Sequence, residues 1–146
     1  MKYKLTDESK AHAGVTLRRI RALKDVRDGV GAGDLGGWIE SEHNLAQDGA
    51  AWVFSDARVF GDARVSTPFP TAGRSDGYLF CVIPQKDGPV HVTAGCRDFT
   101  FAEAHDRWSA TRGGTPLGDE TMAILDHLER MARLKGWPIE AETVAT

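Results

Sequence analysis

The apolar positions between Ala51 and Val65 recur every six residues. Phe54-Ser-Asp-Ala-Arg-Val59 is followed at once by Phe60-Gly-Asp-Ala-Arg-Val65. Val53, Val59 and Val65 hold one phase of this repeat, Ala51, Ala57 and Ala63 a second, and Trp52, Arg58 and Arg64 a third. Side chains alternate between the two faces of an extended chain. The valine and alanine phases lie an even number of residues apart and so share a face, with valine filling an interior and alanine fitting a tight corner. The arginine phase lies at an odd offset and points to solvent. Gly61, with Ser55 and Gly49 at equivalent places, suits the bends. The pattern predicts a short coil with three sides, each the length of one repeat.

Upstream of the repeat, Tyr3–Leu5 reads as a short strand. Val15–Leu23 is rich in branched residues and follows Gly14. It reads as a strand in preference to a helical turn, because Gly29, Gly31, Gly33, Gly36 and Gly37 follow closely and suit turn-rich β structure. Gly36–Glu40 reads as another short strand. Downstream, Ser66–Gly77 holds Pro68, Pro70, two glycines and several turn residues, which ends the repeat and predicts a linker. Tyr78–Ile83 is a continuous apolar run of strand length. It is separated from Val90–Thr93 by the turn Pro84–Gly88, so the pair predicts a β-hairpin. Thr100 and Glu103 match a capping box and open a helix to about Ala110, with Phe101, Ala104 and Trp108 on one stripe. Gly113–Gly118 breaks it. A second helix covers Asp119–Lys135, with Ile124, Leu125, Leu128, Met131 and Ala132 facing inward. Asp126–Arg130 and Glu129–Arg133 are spaced as i,i+4 pairs on its outer faces. Gly136 and Pro138 suit its end.

These elements predict an α+β protein. A short β-rich N-terminal lobe with about one hexapeptide-type β-helix coil (1–66) is followed by a linker (67–77), a lobe with a β-hairpin and two helices (78–138), and a flexible tail (139–146).

Composition narrows the classes of function. The 146 residues are 41% apolar and 27% charged, as in a globular soluble protein. Eighteen basic against 21 acidic residues give a net charge of −3. There is thus no global basic footprint, and direct nucleic-acid binding is not expected. No apolar run reaches the roughly 18 residues needed to span a membrane. The N-terminus is polar from Lys2 and lacks an apolar signal core, which predicts a cytoplasmic protein. Cys81 and Cys96 fit neither a disulfide framework nor a zinc site.

The candidate chemistry is sparse. Gly29–Gly37 is glycine-rich but has no Lys-Ser/Thr ending and no helix after it, so it reads as turns. His91, Cys96 and His105 lack zinc spacing. Cys96 with His91 or His105 is a candidate nucleophile pair, because a nearby helix N-terminus lowers a thiol pKa. Asp56 and Asp62 stack in the repeat and suit turn amides better than an ion. Arg58 and Arg64 from the repeat, with Arg18, Arg19 and Arg21, can form an anion-binding face for phosphate or for an acidic protein patch. Trp38, Trp52, Trp108 and Trp137 read as core or interface anchors rather than base-stacking platforms, and Trp38 and Trp52 are assigned to this face. No catalytic residue, metal or cofactor is predicted.

Residues 1–66 resemble the N-terminal part of phage and prophage hypothetical proteins with hexapeptide-type repeats. The likeness is carried by YKLT at 3–6, GVTLRRIRAL at 14–23, GDLGGWIESEHNL at 33–45 and the GDARV hexads. Residues 90–137, with VTAGCRDFT and EAHDRW, resemble a small uncharacterised phage α/β domain. The hexads are shared with left-handed β-helix acyltransferases, but the catalytic region of those enzymes finds no match, so no activity is carried over. The resemblance implies a non-enzymatic, phage-derived binding protein in the host cytoplasm. Its partner would be a host protein or complex, and an inhibitor of host defence of the anti-CRISPR kind is one concrete version. So short a coil cannot cover its own ends; the C-terminal lobe, the N-terminal strands or a second copy must do so, and a homodimer that stacks the coils is the expected form. The alternatives are a nucleotide or small-ligand sponge at a dimer interface, and a Cys/His-dependent enzyme.

Overall fold

The structure, a computed structural model, describes residues 1–54, 57–94, 97–112 and 114–140. The chain forms two units, Met1–Phe69 and the residues from Pro70 on. Each described unit contains one four-stranded sheet, and two helices follow the second sheet, which makes the class α+β.

In the first unit, β1 (Tyr3–His12) and β2 (Val15–Ala22) form an antiparallel hairpin in which His12 pairs with Val15. Ala13 and Gly14 turn it with φ of 49° and 83°. Two successive left-handed residues match the right-handed twist of the strands. The strand reading of the Val15 segment therefore holds. β3 (Leu35–Ile39) pairs antiparallel with β2 and parallel with β4 (Arg58–Val59). Trp38 lies beside Arg58 and Ile39 beside Val59. A parallel bridge joins Leu45 to Val65 with the same offset of twenty residues. The valine and alanine phases are all buried, with Val53 at 0% and Ala57 at 8% exposure.

Close backbone approach makes this stacking possible. A Cβ at Gly36 would stand 2.5 Å from the Val53 carbonyl oxygen and 2.7 Å from the Trp52 ring. One at Gly37 would stand 2.6 Å from the Ala57 carbonyl and 2.8 Å from Val53 Cγ1. The side chains of Trp52 and Val53 occupy the space that the two glycines leave. Buried polar groups tie the segments together. Asn44, in a 3₁₀ turn at Glu42–Asn44, accepts from the Glu40 and Ser41 amides and donates to the Gly61 and Ala63 carbonyls. Its four hydrogen-bonding sites are thus filled. The Tyr3 hydroxyl donates to Leu45 O at 2.6 Å. Lys2 has no exposed surface, and its Nζ donates to the carbonyls of Asp48, Gly49 and Ala51. Burial pushes the Lys2 amine below its ordinary pKa and the Tyr3 hydroxyl above its own.

In the second unit, β5 (Thr71–Gly73), β6 (Leu79–Ile83), β7 (His91–Ala94) and β8 (Arg97–Phe99) form an antiparallel sheet in sequence order. The expected hairpin is its central pair. The outer strands are three residues long and mostly polar, too short to show a period. β5 also lies inside the stretch expected to be a linker. α1 (Phe101–Arg112) and α2 (Pro116–Leu134) follow. The capping box forms: Glu103 N donates to Thr100 Oγ1, and Thr100 N donates to the Glu103 carboxylate. These bonds hold that carboxyl below its usual range.

α2 begins three residues before the expected start. Thr115 caps it by accepting from Gly118 N, and Pro116 takes the first position, where its missing N–H costs nothing. Phe80, Val82, Val92 and Ala94 pack with Phe101, Ala104 and Trp108 of α1 and Leu125, Leu128 and Ala132 of α2. Met131, expected inside, is exposed, and Thr121 is buried in the α2 face instead. Of the two expected ion pairs, Glu129–Arg133 closes at 3.7 Å. Ile139, expected in a flexible tail, is 6% exposed and joins this core.

Gly36→Ala should lower the stability of the first unit by about 2–3 kcal/mol through overpacking against fixed backbone. Gly73→Ala, whose Cβ meets nothing within 4 Å, should change its unit by less than about 0.5 kcal/mol. Urea unfolding of both variants checks this, and equal midpoints would refute the close-approach account.

Candidate functional site

The second unit contains a cleft of about 780 Å³ with three arginines and three aromatic rings in its walls: Arg74, Tyr78, Arg97, Phe99, Arg107 and Trp108. The first turn of α2, from Thr115 to Leu117, closes one side. Arg97 and Phe99 are two apart on β8, so alternation sends both to the face that α1 covers. Phe99 meets Trp108 edge to face at 5.5 Å, and Trp108 meets Phe80 in the same way at 5.3 Å. The Arg107 guanidinium stands 5.6 Å from the Phe99 ring, and that of Arg74 stands 5.0 Å from the Tyr78 ring.

The three arginines differ in how they are held. The Arg74 side chain is 3% exposed. Its Nε and Nη2 each donate to Asp76 at 2.8 Å, and its Nη1 donates to Thr121 Oγ1 at 3.0 Å. The Thr121 hydroxyl in turn donates a hydrogen bond to Leu117 O. Ser75, between the pair, donates through N and Oγ to Glu120. The β5–β6 turn is thereby fastened to the start of α2. The bond from Arg74 holds the Asp76 carboxyl down at about 2, and the same bond raises the arginine. Arg107 and Arg97 are exposed, and Arg97 makes no ion pair with the described residues. Arg97 therefore adds positive charge to the cleft that Asp76 does not neutralise, in a chain of net charge −3.

On the other face of this sheet, His91 Nδ1 lies 2.8 Å from Asp98 Oδ1, both partly exposed. Cys81 is buried, and burial pushes its thiol up to about 12. The Cys96 proposed as nucleophile lies outside the described residues, as does Asp56. Asp62 is exposed. Among the described residues, no three His, Cys, Asp or Glu side chains group closely enough to hold a metal.

The basic face expected in the first unit is only partly assembled. β2, β3 and β4 place Arg19, Trp38 and Arg58 in one cross-strand row. Lys10 Nζ stands 4.1 Å from the Trp38 ring and the Arg19 guanidinium 5.5 Å from it. Trp38 is only 6% exposed. Arg19 also donates to Gly36 O and pairs with Glu8 at 3.6 Å. Arg58 Nη1 meets His12 Nδ1 at 2.9 Å. Arg64 turns back onto the carbonyls of Gly61 and Ala63. Arg18 and Arg21 are exposed, and Arg21 reaches Gly33 O. Trp52 is a correction: at 2% exposure it is core and cannot present its ring. The sequence reading missed the cleft of the second unit. Its residues come from a turn, a strand and a helix and share no spacing; the Arg-Asp-Phe alternation at 97–99 was the only local hint.

No protein-family model matches the chain, and no solved structure matches it. One curated relative is the uncharacterized acetyltransferase YdcK of Escherichia coli (strain K12), 39% identical over 74 residues. The match covers 44% of this chain and 22% of that protein. The chain thus spans about a fifth of the length of the relative it matches. The relative is bacterial and supplies no phage context. The expectation of a non-enzymatic protein is corrected here, because the relative carries the name of an enzyme. No helix among the described residues is long and apolar enough to cross a membrane.

Asp76 sets a pH dependence whose sign follows from its depressed pKa. Its contribution is fully present above the unfolded value of about 4 and is lost as pH falls towards about 2. Asp76→Asn should lower the melting temperature of the second unit at pH 7 and flatten its decline between pH 4 and 2. Thermal scans across that range check this; an unchanged slope would count against the pair. Cys81 should resist thiol reagents at pH 7 in the folded protein and react only on unfolding, as timed labelling with mass readout would show.

Proposed function

We propose that the chain takes part in acyl transfer, with its first unit as the opening of a hexapeptide-type coil. The observation that carries the chemistry is the 39% likeness to an acetyltransferase. The parallel pairings at a constant twenty-residue offset and the buried valine and alanine phases support the architecture. Two stacked segments leave an open edge whose amides and carbonyls need a cover. A second copy of the chain, stacked edge to edge, supplies one.

Acyl transfer from a thioester needs a base that takes the proton from the attacking amine or hydroxyl. The new amide or ester bond forms as the C–S bond breaks, and the departing thiolate receives a proton. His91 is the base we assign, because Asp98 at 2.8 Å fixes its ring and stabilises the imidazolium formed when it accepts the proton. The reading embraces the Cys/His alternative only in its histidine.

With acetyl-coenzyme A and a panel of amine and hydroxyl acceptors, thiol release should depend on the acceptor. His91→Gln should reduce it about 100-fold or more. No release with any acceptor would remove the proposal. Sedimentation at micromolar concentration should give a dimer; a stable monomer would remove the stacking.

A further inference from the structure

We infer that the arginine-lined cleft of the second unit binds a small phosphorylated ligand with a planar ring, of the nucleoside-phosphate class. The inference stands on this cleft and not on the acyl-transfer reading. At about 780 Å³ the space lies within the ordinary range for small-molecule sites, roughly 300–1,000 Å³. Among the described residues, the charged side chains that line it are arginines. A guanidinium presents paired N–H donors that match two phosphate oxygens and stacks on rings, whereas an ammonium is a point charge.

The cleft separates these two tasks. Arg74 is committed to Asp76 and Thr121 and forms a rigid wall with Tyr78. Arg97 is exposed without an ion pair among the described residues, and is placed to meet phosphate. Arg107, over the Phe99 ring, borders both the charge and the aromatic wall. Phe99, partly exposed, is held edge to face by the buried Trp108, so its ring is already ordered before a ligand arrives. A single inorganic anion would use the arginines and leave the rings idle. A long polyanion is disfavoured by the net charge of −3 and by the α2 turn that closes one side of the cleft.

Calorimetric titration with ADP, adenosine, tripolyphosphate and a ten-nucleotide single strand tests this in the whole chain. ADP should bind at least about tenfold more tightly than adenosine or tripolyphosphate. Arg97→Ala should weaken ADP binding about tenfold or more and leave the melting temperature of the ligand-free protein unchanged. Arg97→Lys should recover only part of the loss, and Arg130→Ala, an exposed change on α2 outside the cleft, should have no effect. Equal affinity for ADP and tripolyphosphate would overturn the ring requirement. Tighter binding of the oligonucleotide would replace the proposal with a nucleic-acid site, and no binding of any probe would overturn it outright. None of these outcomes depends on thiol release from a thioester.

Discussion

At Gly36 and Gly37 two stretches of backbone pass with no room for a methyl group between them. The first unit depends on that approach. It lets Gly37 N donate to Val53 O at 2.7 Å and brings β4 beside β3 in parallel. It also lets the Trp52 indole and the Val53 side chain lie where two further side chains would otherwise stand. Packing of this density tolerates no added volume. The polar groups trapped beneath it must then be satisfied internally, and Asn44, Tyr3 and Lys2 do so by bonding to carbonyls of neighbouring segments. Lys2 and Tyr3 are thereby part of the core.

The second unit is organised by a buried guanidinium. Taking a charge out of water is costly unless it is paired and its donors are filled. Arg74 meets that condition through Asp76 and Thr121. The price of burying it is met by fastening the β5–β6 turn to α2, which sets one wall of the cleft. The other walls follow from alternation on β8 and from the stripe of α1. Arg97 remains exposed because its strand is at the sheet edge, where only one side is covered.

The sequence and structure agree where a period is long enough to read. The valine and alanine phases, the Val15–Ala22 strand, the apolar run at 79–83 and the capping box at Thr100 and Glu103 were all visible in advance. They part where an element is too short or too polar to repeat. β5 and β8, of three residues each, exist because a neighbouring strand offers hydrogen bonds, not because of their own pattern. Trp52 shares a repeat phase with Arg58, yet it is buried; the repeat specified the direction of a side chain only while the chain stayed regular. Thr121, to which the apolar pattern gave no place, is buried on α2 because Arg74 needs its hydroxyl, whereas Met131, expected inside, is exposed.

By itself the sequence determined the α+β class, the buried phases of the repeat and the two helices, all of which rest on local periodicity and capping. It also supplied the two glycines without saying what would fill their space. Only the tertiary structure decided which arginines are tied to neighbouring groups and which are exposed, and that Arg74, Arg97 and Arg107 share one cleft. Charges and rings that meet from a turn, a strand and a helix carry no common spacing along the chain. Their proximity is set by the packing of the sheet on its helices, a property of three dimensions.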